Sequence, residues 1–289
     1  MEEGWQFLIN RKNRTISIIF LVLEILFIVL PLTYMVAVSF AKRTSSYGFE
    51  WGFTFDNYRT LGKNVYMTAF WNSLELGLIS TFFTLIIGYP FGYFMAFLSK
   101  KWKNIVMGLL LLQFTIGGLI RLQGWMMILR ADGPINRILM AIGVIDEPLQ
   151  LLYNKAAVVF ALSYALLPFM IFSIYSSAEK LDRSLLEASR DLGASRIETF
   201  FRVSLPLTLP GLMGGFTLSF IPSMGLFFVS DLLGGGKIPL VGNVIQNEMG
   251  RGANWPLAAS AAVLLTIMTL VVLLVSMKLG YGKDEEAMN

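Results

Sequence analysis

The sequence predicts an all-α membrane protein of six transmembrane helices, and three observations carry that prediction. Of its 289 residues 55% are hydrophobic and only 15% charged, with a mean hydropathy of +0.65, whereas a soluble domain carries roughly 25% charged residues. The apolar residues gather into runs of about 20, the length that a bilayer core of roughly 30 Å demands of a helix. The polar segments between the runs differ in charge. Lys100-Lys101-Trp102-Lys103 crowds its cations into a very short loop, which marks that side as cytosolic because short loops follow the positive-inside bias most strictly.

Arg11, Lys12 and Arg14 precede the first run, which covers about 16–40 with Glu24 inside it. That run is far longer than a signal-peptide core and ends without a small-residue cleavage site, so it reads as a retained span. In the polar loop over 41–69, Thr54-Phe55-Asp56-Asn57-Tyr58 predicts a short capped helix. The second span covers about 70–98 with Glu75 and Pro90, and the third about 105–129 with Arg121. A second outer loop, 131–155, is framed by Gly133-Pro134 and Gly143 around a short amphipathic helix. The fourth span covers about 156–177 with Pro168, the fifth about 207–233 with Pro210, Pro222 and Asp231, and the sixth about 257–279. A third outer loop fills 234–256. Six spans make one membrane domain over 1–289 with both termini cytosolic. The net charge of +4 and pI near 9.2 then reflect Lys and Arg on the cytosolic face rather than a nucleic-acid surface.

The longest polar stretch, 179–206, lies between the fourth and fifth spans. Ser184 with Glu187, and Ser195 with Glu198, have the spacing of capping boxes. Gly193 falls just past the first of these helices, where a left-handed backbone favours glycine. The expectation is a helix over 185–191, a glycine elbow, and a second helix over 196–204 stopped at Pro206. Leu185 and Leu192 share a face of the first helix, with the small Ala188 and Ser189 between them. Ile197, Phe200, Phe201 and Leu205 stripe the second. From the residues alone this is either an amphipathic hairpin at the membrane surface or a docking helix for a cytosolic partner.

Glu187-Ala188-Ser189, followed by Gly193, Val203 and Leu205-Pro206, resembles the Glu-Ala-Ala signature of ABC-importer permeases. Ser189 stands where the signature has its second alanine, and its side chain is also small. Leu166 to Met170, Pro222 to Phe227 and Val229 to Leu232 are similar to the spermidine/putrescine importers of that family, as are Phe53 to Tyr58 and Gly242 to Ile245. The resemblance implies a type I ABC-importer permease fold with a cytosolic coupling helix between helices 4 and 5. It implies that Ser184, Leu185, Glu187, Ala188, Ser189, Leu192, Gly193 and Ala194 engage a cytosolic ATPase, with Glu187 either capping its own helix or facing a basic residue of that partner. The complex it implies contains a second related permease, two ATPase subunits and an external polyamine-binding protein. ATP and Mg would be held by the ATPases, with no cofactor in this chain. The setting is the cell membrane.

Other function classes fit poorly. There is no Cys and no His, which removes thiol chemistry and the commonest acid–base and metal-binding side chain. Gly234-Gly235-Gly236-Lys237 lacks the distal glycine and the Ser or Thr of a phosphate-binding loop, and it sits on the outer side. An ion-coupled secondary transporter would be expected to carry an internal inverted repeat, and none is evident. Ionisable residues within spans usually face the bundle or a wet cavity. A polycation favours carboxylates and aromatic faces along its path. Asp231, with Phe227, Phe228 and Tyr164 as neighbours, is therefore a path or gate candidate, or else a cap of the outer loop. Glu75 with Trp71 one turn earlier is either a second path candidate or an interfacial anchor. Glu24 and Arg121 are either a structural pair or part of the route.

Overall fold

The computed structural model describes residues 18, 20–44 and 48–281, with side chains through Lys278. Arg11, Lys12 and Arg14, the start of the first expected span and the charged tail lie outside the described residues. Helices dominate, as alternating apolar and polar runs of this length require. Among the described residues, five helices are long and apolar enough to cross a bilayer, and a sixth crossing is counted if one bent pair is taken as a single span. The chain forms two compact units, one holding the described residues up to Lys63 together with Ile245–Leu265, the other Asn64–Val244 together with the residues from Thr266 onward.

In the first unit, α1 (Phe20–Ser39) leads into a two-residue antiparallel pair, β1 (Lys42–Arg43) with β2 (Phe49–Glu50). The short helix α2 (Asp56–Leu61) follows, where the sequence placed one. The Thr54 hydroxyl accepts from the Asp56 N–H at 3.2 Å and donates to the Asp56 carboxylate at 2.8 Å. Asn57 Nδ2 donates to the Ser39 and Ala41 carbonyls, both at 2.9 Å, so α2 satisfies backbone acceptors freed where α1 ends.

The second unit is built on three mutually packed helices, α3 (Asn64–Ala96), α7 (Lys155–Ala178) and α9 (Arg196–Gly225). Lipid tails give little hydrophobic drive for helix association, so close approach through small residues decides the packing. A Cβ at Gly92 of α3 would lie 2.8 Å from the Ile171 carbonyl oxygen of α7, which leaves room only for glycine. Hydroxyls stitch the same faces together. Ser163 donates to the Ser80 carbonyl at 3.0 Å and Ser173 to that of Gly211 at 2.7 Å. The Tyr89 and Thr208 hydroxyls pair at 2.7 Å, and those of Tyr93 and Ser204 at 2.9 Å. Each such bond is worth about 0.6 kcal/mol in a bilayer.

Two expected spans are interrupted. The third becomes α4 (Lys100–Thr115) and α5 (Gly118–Leu129), and the chain axis turns by 96° between Lys100–Thr115 and Gly118–Ala141. Ile116 and Gly117 are extended at the bend (ψ 122° and 135°), and the adjacent glycines 117 and 118 each weaken a helix by about 1 kcal/mol. The fifth becomes α9 and α10 (Phe227–Leu233), separated at Leu226 with ψ 66°. Pro222 removes a backbone donor shortly before that break. The helix α6 (Pro134–Ala141) begins at its proline, and Gly143 has φ +71° beyond its end, as Gly133-Pro134 and Gly143 led one to expect. α11 (Val241–Met249) and α12 (Trp255–Tyr281) complete the chain. Leu76, Leu122, Val158, Leu162, Val229 and Leu240 form the core that joins α3, α5, α7 and α10 to the segment entering α11.

Candidate coupling surface and membrane cavity

The polar stretch between α7 and α9 contains α8 (Arg183–Asp191). Its cap corrects the expectation. Asp182, not Ser184, is the N-cap, its carboxylate accepting from the Ser184 N–H at 2.9 Å. Glu187 therefore sits past the first turn and exposed, and no capping box forms there, because an aspartate two residues upstream accepts the same N-terminal amides more directly. The second capping box is present: Ser195 Oγ accepts from the Glu198 N–H at 3.2 Å, and Glu198 accepts from the Ser195 N–H at 2.8 Å.

Gly193 adopts φ +89°. The Gly193 N–H donates to the Arg190 carbonyl at 2.9 Å and the Ala194 N–H to that of Ser189 at 3.1 Å, the paired bonds of a Schellman C-cap. The second helix does not stop at Pro206 but runs on to Gly225 as the span itself. A π-helical turn over Phe200–Ser204 widens the ladder just ahead of Pro206. There the missing N–H and the bulk of the ring fall on a turn whose bonding has already shifted by one residue.

The face this elbow presents is apolar and uncovered. Leu185, Ala188 and Leu192 are exposed, Leu192 to 89%, and Ile197 and Phe201 extend the patch onto the first turns of α9. Leu186 points the other way and is buried. Ser189 Oγ lies 3.2 Å from the buried Thr199 hydroxyl and links α8 to α9. Two contacts fasten the entry of the loop to the α3–α4 turn. Lys103 Nζ bonds the Glu179 carboxylate at 2.7 Å, and the Arg183 guanidinium lies 5.4 Å from the Phe97 ring centroid. The hydrogen bond from Lys103, joined by one from the Tyr175 hydroxyl, holds the Glu179 carboxyl below its ordinary value. The Ser184 N–H does the same for Asp182. Neither Lys103–Glu179 nor Arg183–Phe97 was signalled by sequence spacing, since each joins residues on different elements.

At the opposite end of the bundle, the path candidates do not form one cluster. Asp231 on α10 is exposed and accepts from Asn243 Nδ2 at 2.7 Å, and the same Nδ2 donates to the Phe227 carbonyl at 3.2 Å. This joins Asp231 and Phe227 through the start of α11. Glu75 on α3 is already ion-paired, to Lys155 Nζ at 2.8 Å, while Trp71 is exposed. Tyr164 lies apart from both, in a cavity of about 280 Å³ bounded by α4, α5, α7, α9 and α10. Phe114, Leu166, Phe169 and Phe228 line its walls, and Arg121 enters it with the guanidinium 5.9 Å from the Tyr164 ring centroid. Within this unit the Arg121 guanidinium is thus met by the Tyr164 ring.

A family profile described as "binding-protein-dependent transport system inner membrane component" matches residues 88–280. The chain is 41% identical to the spermidine/putrescine transport system permease protein PotB of Haemophilus influenzae, over 93% of this chain and 94% of that one. It is 42% identical to the protein of the same name from Escherichia coli, over 87% and 91%. Among solved structures, a chain of a bacterial alginate ABC transporter superposes with a TM-score of 0.74 at 17% identity, covering 93% of this chain and 94% of that one. A chain of the MetNI methionine ABC transporter superposes with a TM-score of 0.56 at 21% identity, covering 76% and 98%. At these identities the structural matches speak to the fold alone.

Proposed function

We propose, from the premise that this chain belongs to the family of binding-protein-dependent transport system inner membrane components, that it is the permease of an ATP-driven polyamine importer. The observation that carries the substrate class is the 41–42% identity, over nearly the whole length, to permeases named for spermidine and putrescine. As a member of this family the chain is a transport subunit, and hydrolysis of ATP falls to partner chains. In the proposed assembly, residues 1–289 act as one permease domain beside a second related permease, two ATPase subunits on the cytosolic side, and an external polyamine-binding protein.

The α8 elbow is the proposed seat of the ATPase. Leu185, Ala188 and Leu192 enter a groove of that subunit, with Ser184, Ser189 and Ala194 along the rim and Glu187 free to meet a basic residue. Gly193 fixes the angle at which α8 leaves for α9. Closure of the two ATPases then pulls on α7 and α9 directly, and through Lys103 and Arg183 on the α3–α4 turn. Along the route, the exposed Asp231 carboxylate beside Phe227 is the first acid proposed to meet an ammonium group. Glu75, near Trp71, would exchange the Lys155 ammonium for that of the cargo, whose primary amines have the same chemistry. Tyr164, already faced by the Arg121 guanidinium at 5.9 Å, has no place on this route.

The test is ATP hydrolysis and uptake by the complete complex in proteoliposomes, presented in turn with spermidine, putrescine, an amino acid and an inorganic anion, each with loaded binding protein. Stimulation by the two polyamines alone is expected. Stimulation by the amino acid or the anion in their place would overturn the substrate class.

A further inference from the structure

Arg121 is an intramembrane cation whose charge the described residues of its own compact unit leave unanswered. Its Nε and Nη1 are buried and have no hydrogen-bond partner. The Tyr164 ring supplies a cation–π contact, which is weaker than the cost of leaving a desolvated guanidinium unpaired. The cavity onto which it opens, about 280 Å³, holds no carboxylate among its lining residues. A cavity whose sole charge is positive repels a polycation.

We infer that Arg121 is half of a buried ion pair whose carboxylate is carried into this cavity by the second permease chain. The occupant is defined by the walls: an acid set in an apolar helix, because Phe114, Leu166, Phe169 and Phe228 are apolar and the guanidinium is the one charged group among the lining residues. Depth argues against a cytosolic lipid headgroup. The 16 residues of α4 raise the bend about 24 Å above Lys100, most of the way through a hydrocarbon core of roughly 30 Å. A phosphate of the outer leaflet is the competing acceptor that the experiment must separate. The inference rests on the two-permease assembly proposed above and is independent of the cargo.

The complete complex is purified through a tag on this chain, and the second permease retained is measured by quantitative mass spectrometry. Arg121→Glu is expected to lower retention at least about tenfold, well within the cost of breaking a buried pair, and Arg121→Lys much less. Because the chain contains no cysteine, Phe169→Cys in the Arg121 background places a single thiol in the cavity. A thiol-attached benzophenone at that site should photo-cross-link to a membrane-spanning peptide of the second permease that contains Asp or Glu. Arginine at that acid should restore the retention lost by Arg121→Glu to within about twofold. Cross-links to lipid alone, or undiminished retention by Arg121→Glu, would overturn the pairing. Absence of a second permease from the parent complex would overturn the assembly itself, which is a distinguishable failure.

Discussion

The elbow at Gly193 lends itself to a graded perturbation, because its role is purely conformational. A Cβ placed there meets nothing within 4 Å, so a substitution acts through the backbone and not through collision. At φ +89°, asparagine is tolerated best among side-chain-bearing residues, and alanine costs about 1–2 kcal/mol. Proline, fixed near −65°, would require a rotation of about 150° and would lose the N–H that bonds the Arg190 carbonyl at 2.9 Å. If the angle of α8 transmits force, the order of coupling follows the order of strain. In proteoliposomes containing the complete complex, polyamine uptake per ATP hydrolysed should be near parental for Gly193→Asn. It should fall up to about tenfold for Gly193→Ala, since 1.4 kcal/mol is a factor of ten in a conformational equilibrium. For Gly193→Pro uptake should be lost while ATP hydrolysis and membrane insertion persist. Parental uptake by the proline variant, or losses that do not follow the backbone ranking, would refute the reasoning.

Three further outcomes are expected. Ser195→Ala removes a capping box and should cost about 1 kcal/mol, read as a lower melting temperature of the complex. Asp182→Ala should speed amide exchange in the first turn of α8, while Ser184→Ala leaves that exchange unchanged. The Lys103–Glu179 link should be intact at neutral pH. Because the Glu179 carboxyl is held below its ordinary value of 4.5, its stabilisation is full above that value and fades as pH falls through the lower folded-state value. The melting-temperature gap between the parent and Glu179→Gln should accordingly be constant down to about pH 4.5 and close below it. Asp231→Asn keeps an oxygen to accept from Asn243 but deletes the charge, so spermidine uptake should fall several-fold without loss of expression. Unchanged affinity and rate would leave Asp231 as an outer-loop tether alone.

Features set by local chemistry were readable in advance. Gly193 beyond a helix and Pro134 after Gly133 sit where they do because φ and a missing N–H decide the matter within a few residues. The Ser195–Glu198 box is a local exchange of bonds of the same kind. The cap at Asp182 was misplaced to Ser184 because two acceptors compete within one turn, and spacing alone does not rank them. Hydropathy could not foresee the bend at Ile116-Gly117, since an apolar run reads the same whether it is straight or folded over. The ties of Lys103 to Glu179, Lys155 to Glu75 and Arg121 to Tyr164 join separate helices, so they emerge only once α3, α4, α5 and α7 are packed. The extension of α9 through Pro206 depended on a π-helical turn, for which residue composition gives no dependable signal.

The unbroken run of α9 has a mechanical corollary. Its 30 residues make a rod about 45 Å long, with the elbow at one end and the α10 joint at the other. A tilt of about 5° imposed at the foot would sweep the far tip by about 4 Å, comparable to the width of a methylene chain. A stroke that small, amplified by length, is enough to admit or refuse a slender amine without unpacking the bundle that bears it.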